Sequence, residues 1–364
     1  MSQKTSQNPA KSRLGTVGGQ AVIEGVMMKS ENNIAITVRR ESGELVTKKR
    51  NFKSIRSKHK IFNIPVLRGL INFIDMLVLS MSTLNESMEM LGLDEQINDK
   101  SKDVSEIHKI SEEENTEKKD EIDEKKGSSW ILVASVLGII LGVALSFALF
   151  FFLPTFVGKQ IEKVIEIGWF LNLIEGVLKL IIFVIYISLV SLMKDIRRTF
   201  QYHGAEHMAV FCYEKGDELT VENVKKHSRF HPRCGTSFMI VMMIVGIGIS
   251  SIIPLSFGVG LRVLVKFSLF PLVIGLGFEF IKFAGKHDNL IVRIISAPGL
   301  WVQRLSTRKP DDAQIEVAIS SLKLAVSEEN QKITESDNIG EPNNEDNADN
   351  INDANDEKLS LHQR

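Results

Sequence analysis

Two cysteines in 364 residues, Cys212 and Cys234, are too few for a disulfide scaffold. They read as free thiols, or one of them as a metal ligand. The formal net charge is −1, which gives no electrostatic case for binding nucleic acid. Residues 1–16 are polar and lack the apolar stretch of a cleavable secretory signal. No internal repeat is clear enough to use. By length alone the chain has room for two soluble domains, but its composition is sharply divided, with long apolar runs alternating with highly charged ones.

Four segments are apolar enough to cross a bilayer, which takes about 20 helical residues. The first, Trp130 to Leu153, carries no charge. The second, Trp169 to Met193, contains Glu175 and Lys179, four residues apart and placed to pair. The third is Phe238 to Phe257. The fourth is Leu261 to Phe283, with Arg262 and Lys266 near its start and Glu279 near its end. Basic residues concentrate between the second and third spans, at Lys194, Arg197, Arg198, Lys215, Lys225, Lys226, Arg229 and Arg233. By the positive-inside rule that 194–237 loop and both termini are expected in the cytoplasm. The expected fold is therefore mainly α. It is a polytopic membrane helical bundle of about four transmembrane helices in the cell membrane, with a small N-terminal β element and a cytoplasmic His-rich loop.

The remaining segments follow from pattern. Residues 1–60 comprise a loose arm over 1–16 and a β-rich element. Its glycine-framed strand covers Gly18 to Lys29, and a hairpin has Ile34–Arg40 and Glu44–Lys48 as its arms. Residues 61–93 predict an amphipathic helix on the membrane surface or against the bundle, with a fifth span as the alternative. Residues 94–128 read as a charged disordered linker containing His108. The bundle occupies 129–326 and ends in an amphipathic helix, Ala313 to Val326, capped by Asp311 or Asp312. An acidic disordered tail, 327–364, closes the chain.

The chemistry concentrates between 203 and 234, which hold four of the eight histidines and both cysteines. His203 and His207 are four residues apart, so on a helix they project about 40° from one another. Glu206 falls on the same side. Two imidazoles at that spacing can grip one zinc-like ion, and the carboxylate beside them can handle a proton of its bound water. The pattern is H-x-x-E-H, the inverted zincin motif. A second pair, His227 and His231, predicts a further helix from Thr220 to His231, stopped by Pro232. Cys234 follows it. Five such side chains exceed what one catalytic zinc takes, so some support the others or the site holds two metals. In proteins with the inverted motif the third ligand is typically a distant glutamate. Glu279, 72 residues after His207, is the candidate, with a salt bridge to Lys282 or Lys286 as the alternative. Arg229 and Arg233 are candidate anion contacts. Glu24 is either a strand-edge carboxylate facing water or an acid aimed at the metal site. Cys212 is expected to be packed.

The stretches Gly18-Gly19-Gln20-Ala21-Val22-Ile23-Glu24-Gly25-Val26-Met27-Met28, Tyr202-His203-Gly204-Ala205-Glu206-His207 and His227 to Phe238 resemble the YqhQ-like family of bacterial membrane proteins. So do Arg68-Gly69, Pro298-Gly299-Leu300-Trp301-Val302-Gln303-Arg304-Leu305 and Lys309-Pro310-Asp311-Asp312. The resemblance covers roughly residues 15–326. It implies a membrane protein with a metal site, described at most as a predicted metal-dependent enzyme, and names no reaction.

The leading expectation is a membrane-embedded hydrolase holding a divalent metal, zinc by preference. Its shell is drawn from His203, His207, His227, His231, Cys234 and Glu279, with Glu206 as general base. Its partners are the bilayer and a membrane-associated substrate or protein. A scaffold or assembly factor with a structural metal is the alternative, and a small transporter ranks third.

Overall fold

A computed structural model describes residues 13–31, 33–93, 137–165, 168–284 and 290–338. The expected linker 94–128 and most of the acidic tail lie outside those residues. The chain is mainly helical and begins with a four-stranded antiparallel meander. Its strands are β1 (Gly18–Val22), β2 (Gly25–Lys29), β3 (Asn33–Arg39) and β4 (Leu45–Asn51). The glycine-framed stretch is thus two strands rather than one. Val22 pairs with Gly25 across a two-residue turn, where Glu24 takes a positive φ of 49°.

Helix α1 (Leu67–Leu91) follows, then α2 (Leu137–Val164), α3 (Leu171–Val190), α4 (Lys194–Lys215) and the single turn α5 (Val221–Val224). The chain continues through α6 (Gly235–Ser250), α7 (Val259–Ser268), α8 (Phe270–Ala284), α9 (Leu290–Ser306) and α10 (Asp312–Asn338).

Both sheet faces are covered, and strand alternation sorts the side chains. Val26, Met28 and Ala35 face α4 and α10, meeting Tyr202, Ala205, Ile315 and Leu322. Val22, Met27, Ile34, Ile36 and Val38 face α1, meeting Leu79 and Met90. Helix α10 runs on to Asn338, beyond the expected end at Val326. Ser30 Oγ donates to the Ala325 carbonyl at 2.8 Å and Ser321 Oγ to that of Ala35 at 2.9 Å. The sheet and α10 are therefore locked together.

Three helices, α1, α2 and α3, are long and apolar enough to cross a membrane, or four if α7 and α8 count as one span bent by 47°. The expected fourth span is thus broken between Ser268 and Phe270, and the third stops at Ser250. In α1 the half from Leu79 onward is committed to the sheet. That leaves residues 67–78, about 18 Å of helix, against a hydrocarbon core of about 30 Å. The start of α1 is seated on α8, where a Cβ on Gly69 would fall 2.7 Å from that of Phe278.

Candidate metal centre

Helix α4 carries the motif through the middle of the molecule. From Tyr202 to Glu214 nearly every side chain is buried, because the sheet, α10 and the 225–234 segment close around it. Gly204 lets the chain after α9 approach: Arg308 N–H donates to the Phe200 carbonyl at 2.8 Å. Gln303, fully buried, anchors the second cluster. Its side-chain oxygen accepts from His231 N–H at 2.8 Å, and its amide donates to the His231 carbonyl at 2.7 Å and to Ser237 Oγ at 2.9 Å.

The two motif histidines are oriented alike. His203 Nδ1 lies 2.9 Å from the Ser306 carbonyl oxygen, and His207 Nδ1 hydrogen-bonds that of Arg229. A carbonyl oxygen only accepts, so both Nδ1 atoms carry a proton, which leaves Nε2 as the candidate ligand atom of each neutral imidazole. One nitrogen of each ring and Cys234 Sγ lie within 4.8 Å of one another. His203 Nε2 to Cys234 Sγ is 3.3 Å. Adjacent ligands on a tetrahedral zinc sit about 3.5 Å apart, so the spacing suits one small ion. Backbone carbonyls that fix the tautomer are the usual support for ligating histidines. The three residues fit a divalent metal.

Glu206 is buried beside them, its Oε2 3.5 Å from His207 Nε2. Burial pushes its carboxyl above the usual carboxylate range, against the opposing pull of His203, His231 and the Gly19 N–H. Strand β1 supplies that N–H. A Cβ at Gly19 would fall 2.8 Å from Glu206 Cγ, so glycine is required there.

Several expected site residues lie elsewhere. The 220–231 helix is only the turn α5, which ends at Val224 and passes into turns, and His227 and His231 share no helix face. His227 Nε2 is 2.9 Å from Asp217 Oδ2. With Cys212 these form a second group whose candidate ligand atoms are close, but Cys212 Sγ contacts the Asp217 and Glu218 carbonyls. Burial raises its thiol to about 11, as expected of a packed cysteine. His231 stands next to the centre, ring to ring 5.7 Å from His207. Both its nitrogens are used, Nε2 toward Glu214 at 3.4 Å and Nδ1 accepting from Arg233 N–H at 3.3 Å. Glu279 is bound by Arg68 on α1 and not by Lys282, and it joins neither cluster among the described residues. Arg233 is held by Glu214, so its guanidinium is already paired. Arg229 stacks 4.9 Å over the Phe230 ring and has a buried Nε with no partner. Glu24 binds Arg198 and Tyr202, at the sheet turn and away from the metal-competent trio.

Glu214 was missed by sequence reasoning. It receives Gly15 N–H at 2.9 Å along with Arg233 and His231, so residues 13–16 are docked rather than loose. Its signal was present: it lies two helical turns after His207 on the same face. Ser306 and Gly19 act through backbone atoms and leave no such trace.

The model of a family described as "Protein of unknown function (DUF1385)" matches residues 64–328, which contain the whole trio. The chain belongs to this family. A relative, "Uncharacterized protein YqhQ" of Bacillus subtilis (strain 168), is 35% identical over 326 residues, covering 86% of this chain and 95% of that one. The family match begins after the sheet. No solved structure matches.

Proposed function

We propose that this protein is a multi-pass membrane hydrolase dependent on a divalent metal, zinc by preference, with its centre at the cytoplasmic membrane face. The observation that carries the reading is the pair of Nδ1–H groups tied to the Ser306 and Arg229 carbonyls, which leave Nε2 as the ligand atom of each ring in a close group with Cys234 Sγ. His203, His207 and Cys234 would hold the ion. When bound, such an ion acts as a Lewis acid and makes a water nucleophilic near neutral pH. Glu206 would take a proton at Oε2, held in place by the Gly19 N–H and shielded from bulk water by the sheet. Arg229 has donor capacity to spare for negative charge developing on a substrate. Three protein ligands favour a catalytic centre over a scaffold's closed four-ligand shell. The apolar helices and the basic residues from Lys194 to Arg233 support a membrane position with that segment and both termini in the cytoplasm.

The test uses detergent-purified full chain, its Glu206→Gln variant and its His203→Ala variant. Bound metal is read by elemental analysis, and turnover on fluorogenic peptide and acyl-ester amphiphiles. Wild type and Glu206→Gln should hold one equivalent of zinc, His203→Ala none, and only wild type should turn over. Absence of bound metal, or an unchanged rate in Glu206→Gln, would overturn the proposal.

A further inference from the structure

The bundle end remote from the histidines holds a second set of buried ionisable side chains that the hydrolase chemistry does not use. Helix α6 leads from Cys234 to Ser250, a rise of about 24 Å. At its far end α2, α3 and α7 bring together Thr155, Asn172, Glu175, Lys179, Arg262 and Lys266.

Glu175, almost fully buried, does not pair with Lys179 one turn along α3, as its spacing suggested. Its Oε1 accepts from Arg262 at 3.1 Å and its Oε2 pairs with Lys266. Arg262 has no solvent exposure. It also donates to Asn172 Oδ1 at 2.6 Å and to the Pro254 carbonyl at 3.3 Å, leaving Nε without a partner. Lys266 Nζ donates to Thr155 Oγ1 at 2.9 Å. Lys179 Nζ stands 5.1 Å from the Phe151 ring centre and makes no ion pair within 4 Å among the described residues. The set therefore carries three cations and one carboxylate.

Between these groups is a cavity of about 20 Å³, lined by Thr155, Glu175, Lys179, Ser250 and Lys266 together with Phe151. On this measure it accommodates one water-sized particle. The acceptors at its wall are already taken, because Glu175 serves two cations and Asn172 Oδ1 serves Arg262. What remains is donor-rich: two ammonium groups and two hydroxyls. Helix α2 is widened here by a wide-turn segment, Ala148–Phe152, a distortion common at functional positions.

We propose that this pocket binds a small anion of halide size, such as chloride. Two surplus cations among apolar helices are costly, and a bound anion cancels one of them. A lipid phosphate carries the same charge but exceeds the room available. The inference rests on the membrane reading above and is independent of the metal centre.

The full chain is placed in phosphatidylcholine nanodiscs in sodium gluconate, and chloride replaces gluconate at constant ionic strength. Wild type should show a saturable rise in Tm and direct chloride binding by calorimetry. In Lys179→Met the half-saturating chloride should rise at least tenfold. A Tm indifferent to the exchange, or Lys179→Met titrating like wild type, would overturn the proposal. So would stabilisation by phosphatidylglycerol alone, which assigns the pocket to lipid. If Lys179→Met does not fold, calorimetry on wild type decides by itself. Carbonate washing of cell membranes tests the membrane reading separately: release of the chain into solution removes that premise, whereas retention with no chloride response refutes only the anion site.

Discussion

Gly204 and Arg308 approach so closely that a Cβ on the glycine would overlap the arginine's carbonyl oxygen. That contact seats the segment after α9 against α4, two residues from the Ser306 carbonyl that orients His203. Backbone cannot swing aside as a flexible side chain does. Gly204→Ala should therefore cost about 1–3 kcal/mol in thermal unfolding. Zinc affinity should fall roughly 10–100-fold with the loss of the orienting carbonyl, read by competition with a chromophoric chelator.

His231 and Glu279 separate the proposed centre from the one that spacing suggested. His231→Gln and Glu279→Gln should each keep zinc at the wild-type stoichiometry, while His207→Ala and Cys234→Ser lose it. Glu279→Gln should instead lower the melting temperature, because Arg68 loses its charged partner between α1 and α8. Metal loss in either glutamine variant would put that residue back among the ligands.

Glu214 links acid stability to the edge of the site. Burial raises its carboxyl, but the bond from His231, the Gly15 N–H and Arg233 together more than offset this, and it lies below its ordinary value of 4.5. A carboxyl depressed on folding stabilises the protein fully above its unfolded pKa. That contribution is lost as pH falls through the lower folded value. The Tm gap between wild type and Glu214→Gln should be present at pH 7, begin to shrink below about 4.5 and close further in acid.

Cys212 should be chemically silent. With its thiol raised to about 11, little thiolate exists at pH 8. In a Cys234→Ser background, Ellman's reagent should react at least about a hundredfold more slowly with folded protein than with protein in denaturing detergent. Rapid labelling of the folded chain would show that the thiol is not held as described.

What was legible in the sequence was what side chains announce. His203, Glu206 and His207 advertise their shared face by spacing alone, and Cys234 by its closeness to the histidine pairs. The β-rich start, the apolar segments and the amphipathic α10 were equally plain. What was not legible depends on packing between distant segments. Arg68 claims Glu279, and Arg262 and Lys266 claim Glu175, although nearer lysines stood at helical spacing in the sequence. His227 and His231 imitate a helical pair, yet Thr220 caps a single turn and the Gln303 clamp holds the following chain irregular. Backbone groups at Gly19, Arg229 and Ser306 shape the centre without any side-chain signature.

The union of the first strands with the last helix has a consequence for biosynthesis. The strand that braces Glu206 is synthesised well before the Ser306 carbonyl that aligns His203. Until α10 has docked on the sheet, neither support is secured. The nascent chain would thus complete its apolar helices with an unfinished cage, and ion loading is expected only once α10 has been made and has docked on the sheet.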